Sequence, residues 1–186
     1  MFEHLSDWPT IVVTGPQRSG TRIAASMMAA DTDKAYWDED DWKNFAKPYD
    51  HLVELMRGGG VIHGPTLSSA CHKLCVSGDT LVVFMMRGLE DIQASELRIA
   101  WDGEASERAA YMAIHGDYMR ARGLSDLPIA AIAQQVWMQV QCPGLGPCAL
   151  TVEYEELQGH RLWIPKAERK SFAWNQCRPE TPHTKP

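Results

Sequence analysis

Short apolar runs of strand length alternate along the chain with longer stretches of helix length, in which apolar residues recur every three or four positions. The first pattern favours β-strands and the second favours amphipathic helices. The predicted strands cover residues 10–14, 34–37, 61–63, 80–86 and 148–154. The predicted helices cover residues 19–30, 42–56, 66–76, 90–101, 105–122 and 127–141. This alternation predicts an α/β fold, a three-layer sandwich in which helices cover both faces of a central parallel sheet.

Two of the predicted helices carry boundary signals. Pro48 is expected to break or restart the helix over 42–56, because a proline inside a helix removes a backbone hydrogen bond. Asp126 is expected to cap the helix over 127–141, with Pro128 tolerated in its first turn. In a parallel sheet of this kind, ligands bind at the carboxyl ends of the strands. The residues that follow the strands are therefore the first candidates for a functional site.

The turn between the first predicted strand and the first predicted helix is the most informative segment. A strand that runs into a glycine-bounded loop and then a helix is typical of a P-loop, in which backbone N–H groups point at a phosphate. Loops that bind nucleoside triphosphates end in Gly-Lys-Ser/Thr, but here Gly20 precedes Thr21 and the basic residue lies upstream at Arg18. The candidate nucleotide-binding residues of this loop are Gly15, Pro16, Gln17, Arg18, Ser19, Gly20, Thr21 and Arg22.

This loop resembles the 5′-phosphosulfate loop of the P-loop sulfotransferases, whose pattern places Lys or Arg just before Ser/Thr-Gly-Thr. In that family an Arg ends a buried strand and a Ser follows in the next helix, and both hold the 3′-phosphate of the donor. Arg87 and Ser95 match this spacing, and the pair 91–92, Asp-Ile, matches the family's Asp-Val step. A guanidinium fork and a hydroxyl suit a phosphate. The alternative is that Arg87 only forms a surface ion pair with Glu90 or Asp91.

The resemblance also suggests a general base. His63 ends a predicted strand shortly before a proline, as does the base of the family's cytosolic branch, and imidazole titrates in a suitable range. Another branch uses a Glu in the region of Glu39, so Glu39, and less so Asp40, is the rival base. His63 is expected on a strand between the P-loop strand and the Arg87 strand, with Glu39 on the far side. A histidine satisfied by backbone groups is the alternative interpretation of His63.

Weaker similarities extend the resemblance over about residues 10–157 in the family's order. They comprise Trp137, the segment 150–157 near the last strand, and the basic segment 169–174, which is a candidate lid. The resemblance implies sulfuryl transfer from 3′-phosphoadenosine 5′-phosphosulfate to a hydroxyl or amine of a small-molecule or macromolecular acceptor, with adenosine 3′,5′-bisphosphate as product. Arg18 would lie at the bridging oxygen and His63 would take the acceptor proton. No metal is expected.

Two other functions fit the same loop. One is a small P-loop kinase or NTPase with a degenerate loop, and the other is a non-catalytic nucleotide-binding module of the same fold. A kinase P-loop needs a hydroxyl residue after its loop lysine and an Asp at a strand end to hold Mg²⁺. Here Arg22 and the strand-end residues His63 and Arg87 stand at the corresponding positions.

Composition adds limits. The net charge of −6 argues against binding to nucleic acid or to an anionic membrane. The length favours one domain over 1–177 with a flexible tail over 178–186, and a homo-oligomer is possible. The odd number of cysteines and the lack of an export signal predict reduced thiols in the cytoplasm. Their spacing does not favour a zinc site. The cysteines are Cys71, Cys75, Cys142, Cys148 and Cys177.

Overall fold

The computed structural model describes residues 1–74 and 78–164, and these residues contain one five-stranded sheet in which every pairing is parallel. The strand order is β2-β3-β1-β4-β5. The strands are β1 (Thr10–Thr14), β2 (Tyr36–Trp37), β3 (Gly60–His63), β4 (Thr80–Met86) and β5 (Ala149–Glu153). All carboxyl ends therefore lie at one edge of the sheet, and the residues that follow the strands share that edge.

The described helices cover both faces of this sheet. They are α1 (Thr21–Thr32), α2 (Asp40–Lys43), α3 (Pro48–Gly58), α4 (Leu89–Arg98), α5 (Glu104–Ala121), α6 (Ile129–Val136) and α7 (Cys142–Leu145). On one face, α1 packs against alternate residues of β1 and β4, among them Val13 and Val83. On the other face, α5 and α6 pack against Val12 and Phe84. The predicted α/β sandwich with a parallel central sheet is confirmed.

Burial on both faces explains why β1 and β4 are so apolar. Ile11, Val12 and Val13 have no exposed surface, and burying side chains of this size stabilises a fold by about 1.5–3 kcal/mol each. The rings of Phe84 and Trp137 stack with their centroids 4.6 Å apart. The Trp137 indole also donates a hydrogen bond to the Thr151 hydroxyl at 2.8 Å, which ties the helical layer to β5.

Several predicted boundaries are wrong. The second strand covers only Tyr36–Trp37. The segment predicted as a helix over 66–76 is a 3₁₀ helix over Pro65–Lys73, and residues 75–77 lie outside the described part of the chain. α6 begins at Ile129 because Pro128 is extended and takes the N-cap position that was expected for Asp126. The same helix continues as a π-helical turn over Trp137–Gln141. Pro48 separates α2 from α3, as predicted.

The predicted strand neighbours of His63 are also wrong. β3 pairs with β1 on one side and with β2 on the other, and β4 lies beyond β1. His63 is thus on the strand next to that of Glu39 and two strands from that of Arg87. The candidate lid at 169–174 and the tail at 178–186 lie outside the described residues, as do Cys75 and Cys177. Within the described part, no helix combines the length and apolar character needed to cross a membrane.

Candidate functional site

The β1–α1 loop is a tight turn that depends on its two glycines. Gly15 has φ +143°, and a Cβ there would lie 2.8 Å from the carbonyl oxygen of Met85. Gly20 has φ +95°, and its Cβ would lie 2.4 Å from the ring of Tyr154. The Ser19 hydroxyl donates to the Pro16 carbonyl at 2.7 Å, which closes the turn. The loop delivers the chain into a twelve-residue helix with no acidic residue in its first turn, an arrangement that favours anions at the helix N-terminus.

An arginine cluster lies beside this loop. We use the name for Arg18, Arg87, Arg98 and the hydroxyl of Ser95. The Ser95 oxygen accepts hydrogen bonds from Arg18 Nε at 3.1 Å and from Arg98 Nη2 at 3.3 Å. Arg87 Nη1 donates to the main-chain oxygen of Arg18 at 2.8 Å. The structure thus brings Arg18 of the loop together with both predicted residues of the β4–α4 segment, and it adds Arg98.

The arginine cluster concentrates positive charge. Burial lowers the pKa of the Arg18 guanidinium, and the neighbouring charges of Arg98 and Arg87 lower it further, while Glu96 acts in the opposite direction. Cations repel one another when they are held this close, so the cluster favours the arrival of an anion. A doubly charged group such as a phosphate monoester would pair with more than one of these guanidinium forks.

Arg87 is held by the main chain of Arg18, the ring of Tyr154 and the carboxylate of Asp91. Its side chain is only 12% exposed. Its guanidinium lies over the ring of Tyr154, 4.3 Å from the ring centroid. Asp91 Oδ1 is 3.9 Å from Arg87 Nη2, at the outer limit for an ion pair. The ion pair with Asp91, which was the alternative to a phosphate-binding role, is therefore present but long.

His63 is buried between Thr21 and Asp38. Its Nε2 atom is 3.0 Å from the Thr21 hydroxyl oxygen, and its Nδ1 atom is 3.6 Å from Asp38 Oδ1. The indole of Trp42 donates to the main-chain oxygen of His63 at 3.3 Å. Because His63 is only 3% exposed, its imidazole contacts the loop through Thr21 and does not open directly to solvent.

Asp38 is a site residue that sequence reasoning missed, because it lies in an acidic run over 38–41 and such runs are usually solvated. The carboxylate is buried and accepts a hydrogen bond from the Tyr36 hydroxyl at 2.8 Å. Arg22 pairs with both of its oxygens, each at 3.0 Å. Burial raises the pKa of Asp38, but His63, Tyr36 and Arg22 outweigh that effect and hold the pKa well below its usual value. Arg22, predicted to bind nucleotide with the loop, is thus paired with Asp38.

Glu39, the rival base, is held by the turn that follows β3. Its Oε1 atom accepts hydrogen bonds from the Thr66 hydroxyl at 2.6 Å and the Thr66 N–H at 3.2 Å. Its Oε2 atom lies 3.5 Å from the Lys43 ammonium. These contacts give Glu39 a clear role in fixing the β3 turn, whereas Asp40 is exposed at the start of α2.

A second group of carboxylates lies on α4 and α5. Burial raises the pKa of Glu107 to about 8, and the charges of Glu96 and Glu39 contribute to the increase. Burial and Glu104 also raise the pKa of Glu96. A carboxyl group with a raised pKa carries its proton near neutral pH, so Glu107 adds little negative charge there.

Stability should therefore fall as pH rises through the raised pKa of Glu107. Between about pH 4.5 and 8 the folded protein binds a proton at this carboxyl and the unfolded chain does not. The free energy of unfolding therefore falls as pH rises across this range, and the stabilisation by the bound proton is lost above pH 8. We expect Glu107→Gln to be about 2–4 kcal/mol more stable than the parent protein at pH 8.5, with no such gain at pH 4.5. Urea unfolding at the two pH values measures this, and an equal effect at both would contradict it.

Neither a metal-ligand group nor a thiol belongs to the part of the site that the structure describes. Within the described part of the chain, no group of three or more His, Cys, Asp or Glu side chains is placed to hold a metal ion. The thiols described are free, and burial raises the pKa of the Cys71 thiol.

A cavity of about 580 Å³ opens on the α5–α6 side, beyond Arg87. It is lined by Met86, Tyr118 and Gln134, among others, and by none of the predicted site residues. The Gln134 amide donates to the main-chain oxygen of Arg87 at 2.7 Å, which connects the cavity wall to the arginine cluster.

Comparison of the sequence with models of protein families and with curated proteins finds no match.

Proposed function

We propose that this protein is a sulfotransferase-like enzyme of the P-loop type, which transfers a sulfuryl group from 3′-phosphoadenosine 5′-phosphosulfate to a hydroxyl or amine. The observation that carries the proposal is the arginine cluster. Arg18 and Arg98 converge on the Ser95 hydroxyl, and Arg87 is bonded to the backbone of the β1–α1 loop. The site has two parts, the β1–α1 loop and the arginine cluster. A nucleotide with anionic groups at both its 5′ and its 3′ position would place negative charge at each of them.

The two parts have different tasks in the proposal. The loop from Gly15 to Thr21 and the N-terminus of α1 bind the 5′-phosphosulfate through backbone N–H groups. Arg87 and Ser95, joined by Arg98, bind the 3′-phosphate. Arg18, which reaches from the loop to Ser95, is placed to serve both. These residues are permanently charged or neutral donors, so they bind an anion without a metal ion.

Sulfuryl transfer needs positive charge more than covalent participation by the protein. The acceptor oxygen or nitrogen forms a bond to sulfur while the bond from sulfur to the bridging oxygen breaks, and adenosine 3′,5′-bisphosphate leaves. As in phosphoryl transfer, negative charge accumulates on the bridging oxygen, and a preorganised cation lowers the barrier. Arg18 supplies that charge, and His63 receives the proton that the acceptor loses.

A nucleotide panel tests the proposal. We expect adenosine 3′,5′-bisphosphate to bind about 30-fold more tightly than 5′-AMP in the presence of a chelator, because charge-assisted hydrogen bonds to the 3′-phosphate contribute about 2 kcal/mol. Isothermal titration with the bisphosphate, 5′-AMP, and ATP with and without Mg²⁺ measures this. Tightest binding of ATP with Mg²⁺ would instead identify a P-loop kinase.

An acceptor panel then separates an enzyme from a binding module. With the phosphosulfate donor and a set of phenols, sugar alcohols and amines, we expect release of adenosine 3′,5′-bisphosphate that depends on one acceptor class. Tight bisphosphate binding without release, by any acceptor tested, would favour a non-catalytic nucleotide-binding module.

A further inference from the structure

Three polar side chains form a continuous row from the β1–α1 loop into the protein. Thr21 at the start of α1 contacts His63 at the end of β3, and His63 faces Asp38 after β2. All three are buried, and each comes from a different element of the fold. The contacts are Thr21 Oγ1 to His63 Nε2 at 3.0 Å and His63 Nδ1 to Asp38 Oδ1 at 3.6 Å.

The surroundings of Asp38 favour a proton on the His63 nitrogen that faces it, although the 3.6 Å separation is longer than a hydrogen bond. The Asp38 oxygens accept hydrogen bonds from three donors: the Tyr36 hydroxyl, the Arg22 guanidinium and, at 3.5 Å, the N–H of Asp40. Asp38 is therefore a carboxylate, and a carboxylate facing Nδ1 favours a proton on that nitrogen. Nε2 then carries a lone pair, so the hydroxyl of Thr21 donates to it.

This arrangement prevents an acceptor from reaching Nε2 directly. The His63 side chain is 4% exposed, and its Nε2 atom already accepts a hydrogen bond from the Thr21 hydroxyl. A proton from outside therefore reaches His63 by way of Thr21, unless Thr21 is displaced. Thr21 belongs to the loop that the proposed function places at the sulfuryl donor, and its hydroxyl joins that loop to His63.

We propose that Thr21, His63 and Asp38 form a proton relay, in which Thr21 passes the acceptor proton on and Asp38 positions His63. This inference rests on the proposed function. The acceptor O–H or N–H bond breaks as a new O–H bond forms on Thr21, and the former Thr21 proton moves to His63 Nε2. The resulting imidazolium is stabilised by the Asp38 carboxylate. Asp38 is a positioning residue, because it acts through His63.

The tautomer of His63 tests the role of Asp38 without any turnover. In ¹⁵N spectra of the imidazole near pH 8, we expect a protonated Nδ1 and an unprotonated Nε2 in the parent protein. In Asp38→Asn the proton should move toward Nε2, whereas Tyr36→Phe, which removes another partner of Asp38, should leave the tautomer unchanged. A protonated Nε2 in the parent protein overturns the relay, even if Asp38→Asn fails to fold.

Two variants of Thr21 test the relay itself. We expect Thr21→Ser, which keeps the hydroxyl, to retain turnover within a few-fold. Thr21→Val should reduce kcat by about 10²-fold and remove the acidic limb of the pH–rate profile. A residue that only shapes the loop would lower the rate but leave that limb in place, so an unchanged limb in Thr21→Val overturns the relay.

The two experiments also separate this inference from the proposed function. If bisphosphate binds and sulfuryl transfer occurs, but Thr21→Val behaves like the parent protein, the relay alone is wrong. If no acceptor supports transfer, the proposed function and the relay fail together, and the ¹⁵N spectra still report whether Asp38 sets the tautomer of His63.

Discussion

Arg18→Ala is expected to reduce turnover by about 10²–10³-fold while weakening the binding of adenosine 3′,5′-bisphosphate by about tenfold. The reason is that, in the proposed mechanism, the negative charge facing Arg18 is larger in the transition state than in the bound ground state. Part of the loss in affinity comes from the hydrogen bond to Ser95, which the variant also removes. Single-turnover rates and equilibrium titrations measure the two quantities separately.

Arg120→Ala is the matched control for this prediction. Arg120 is 60% exposed and pairs with the fully exposed Asp117 on α5, so its removal changes the net charge by the same amount without touching the site. We expect its kinetics to equal those of the parent protein. If Arg18→Ala also keeps full turnover, Arg18 serves only to bind an anion and the proposed mechanism is wrong.

The other large effect is expected from variants of the two candidate bases, His63 and Glu39. We expect His63→Ala to lower kcat by about 10²–10⁴-fold and to eliminate the acidic limb of the pH–rate profile. Glu39→Ala should change little beyond acceptor affinity and the local stability that its bonds to Thr66 provide. Glu39→Gln is the gentler companion variant, because its amide oxygen still accepts from Thr66.

The opposite pattern would reassign the base. If Glu39→Ala and Glu39→Gln both remove the pH dependence while His63→Ala retains it, Glu39 takes the acceptor proton. In that case His63 is a structural residue that joins Thr21 to Asp38. If none of the three variants changes turnover, neither side chain acts as a base, and the proposal that the protein is an enzyme loses its support.

The fold was largely predictable because its signals are local. The apolar run over 80–86 and the strand–loop–helix transition near Gly15 are each contained in a few consecutive residues. Strand order is not local, and this is why β3 was placed next to β4. The residue pattern of a four-residue strand does not indicate which strands will be its neighbours in a parallel sheet. The start of α6 was missed for a different reason, since Pro128 displaced the cap expected at Asp126.

The site was predictable only where chemistry and spacing coincide. Arg87 and Ser95 were found from their separation along the chain, but Arg98, one helical turn beyond Ser95, carried no such signal. Asp38 lies in an acidic run, and such runs are usually solvated, so its burial could not be inferred. The pairing of Arg22 with Asp38 joins α1 to the end of β2, a contact that only the folded structure reveals.

The central claim is that the arginine cluster binds a second phosphate, and a binding cycle on Arg87 tests it most directly. Adenosine 3′,5′-bisphosphate and 5′-AMP are titrated into the parent protein and into Arg87→Ala, with Arg120→Ala as the charge control. We predict that the 3′-phosphate contributes about 2 kcal/mol to binding in the parent protein and in the control. In Arg87→Ala that contribution should fall substantially, because only Ser95 and Arg98 remain to bind the 3′-phosphate, while the affinity for 5′-AMP changes little. A 3′-phosphate contribution that is absent from the parent protein, or equally large in Arg87→Ala, would contradict the account.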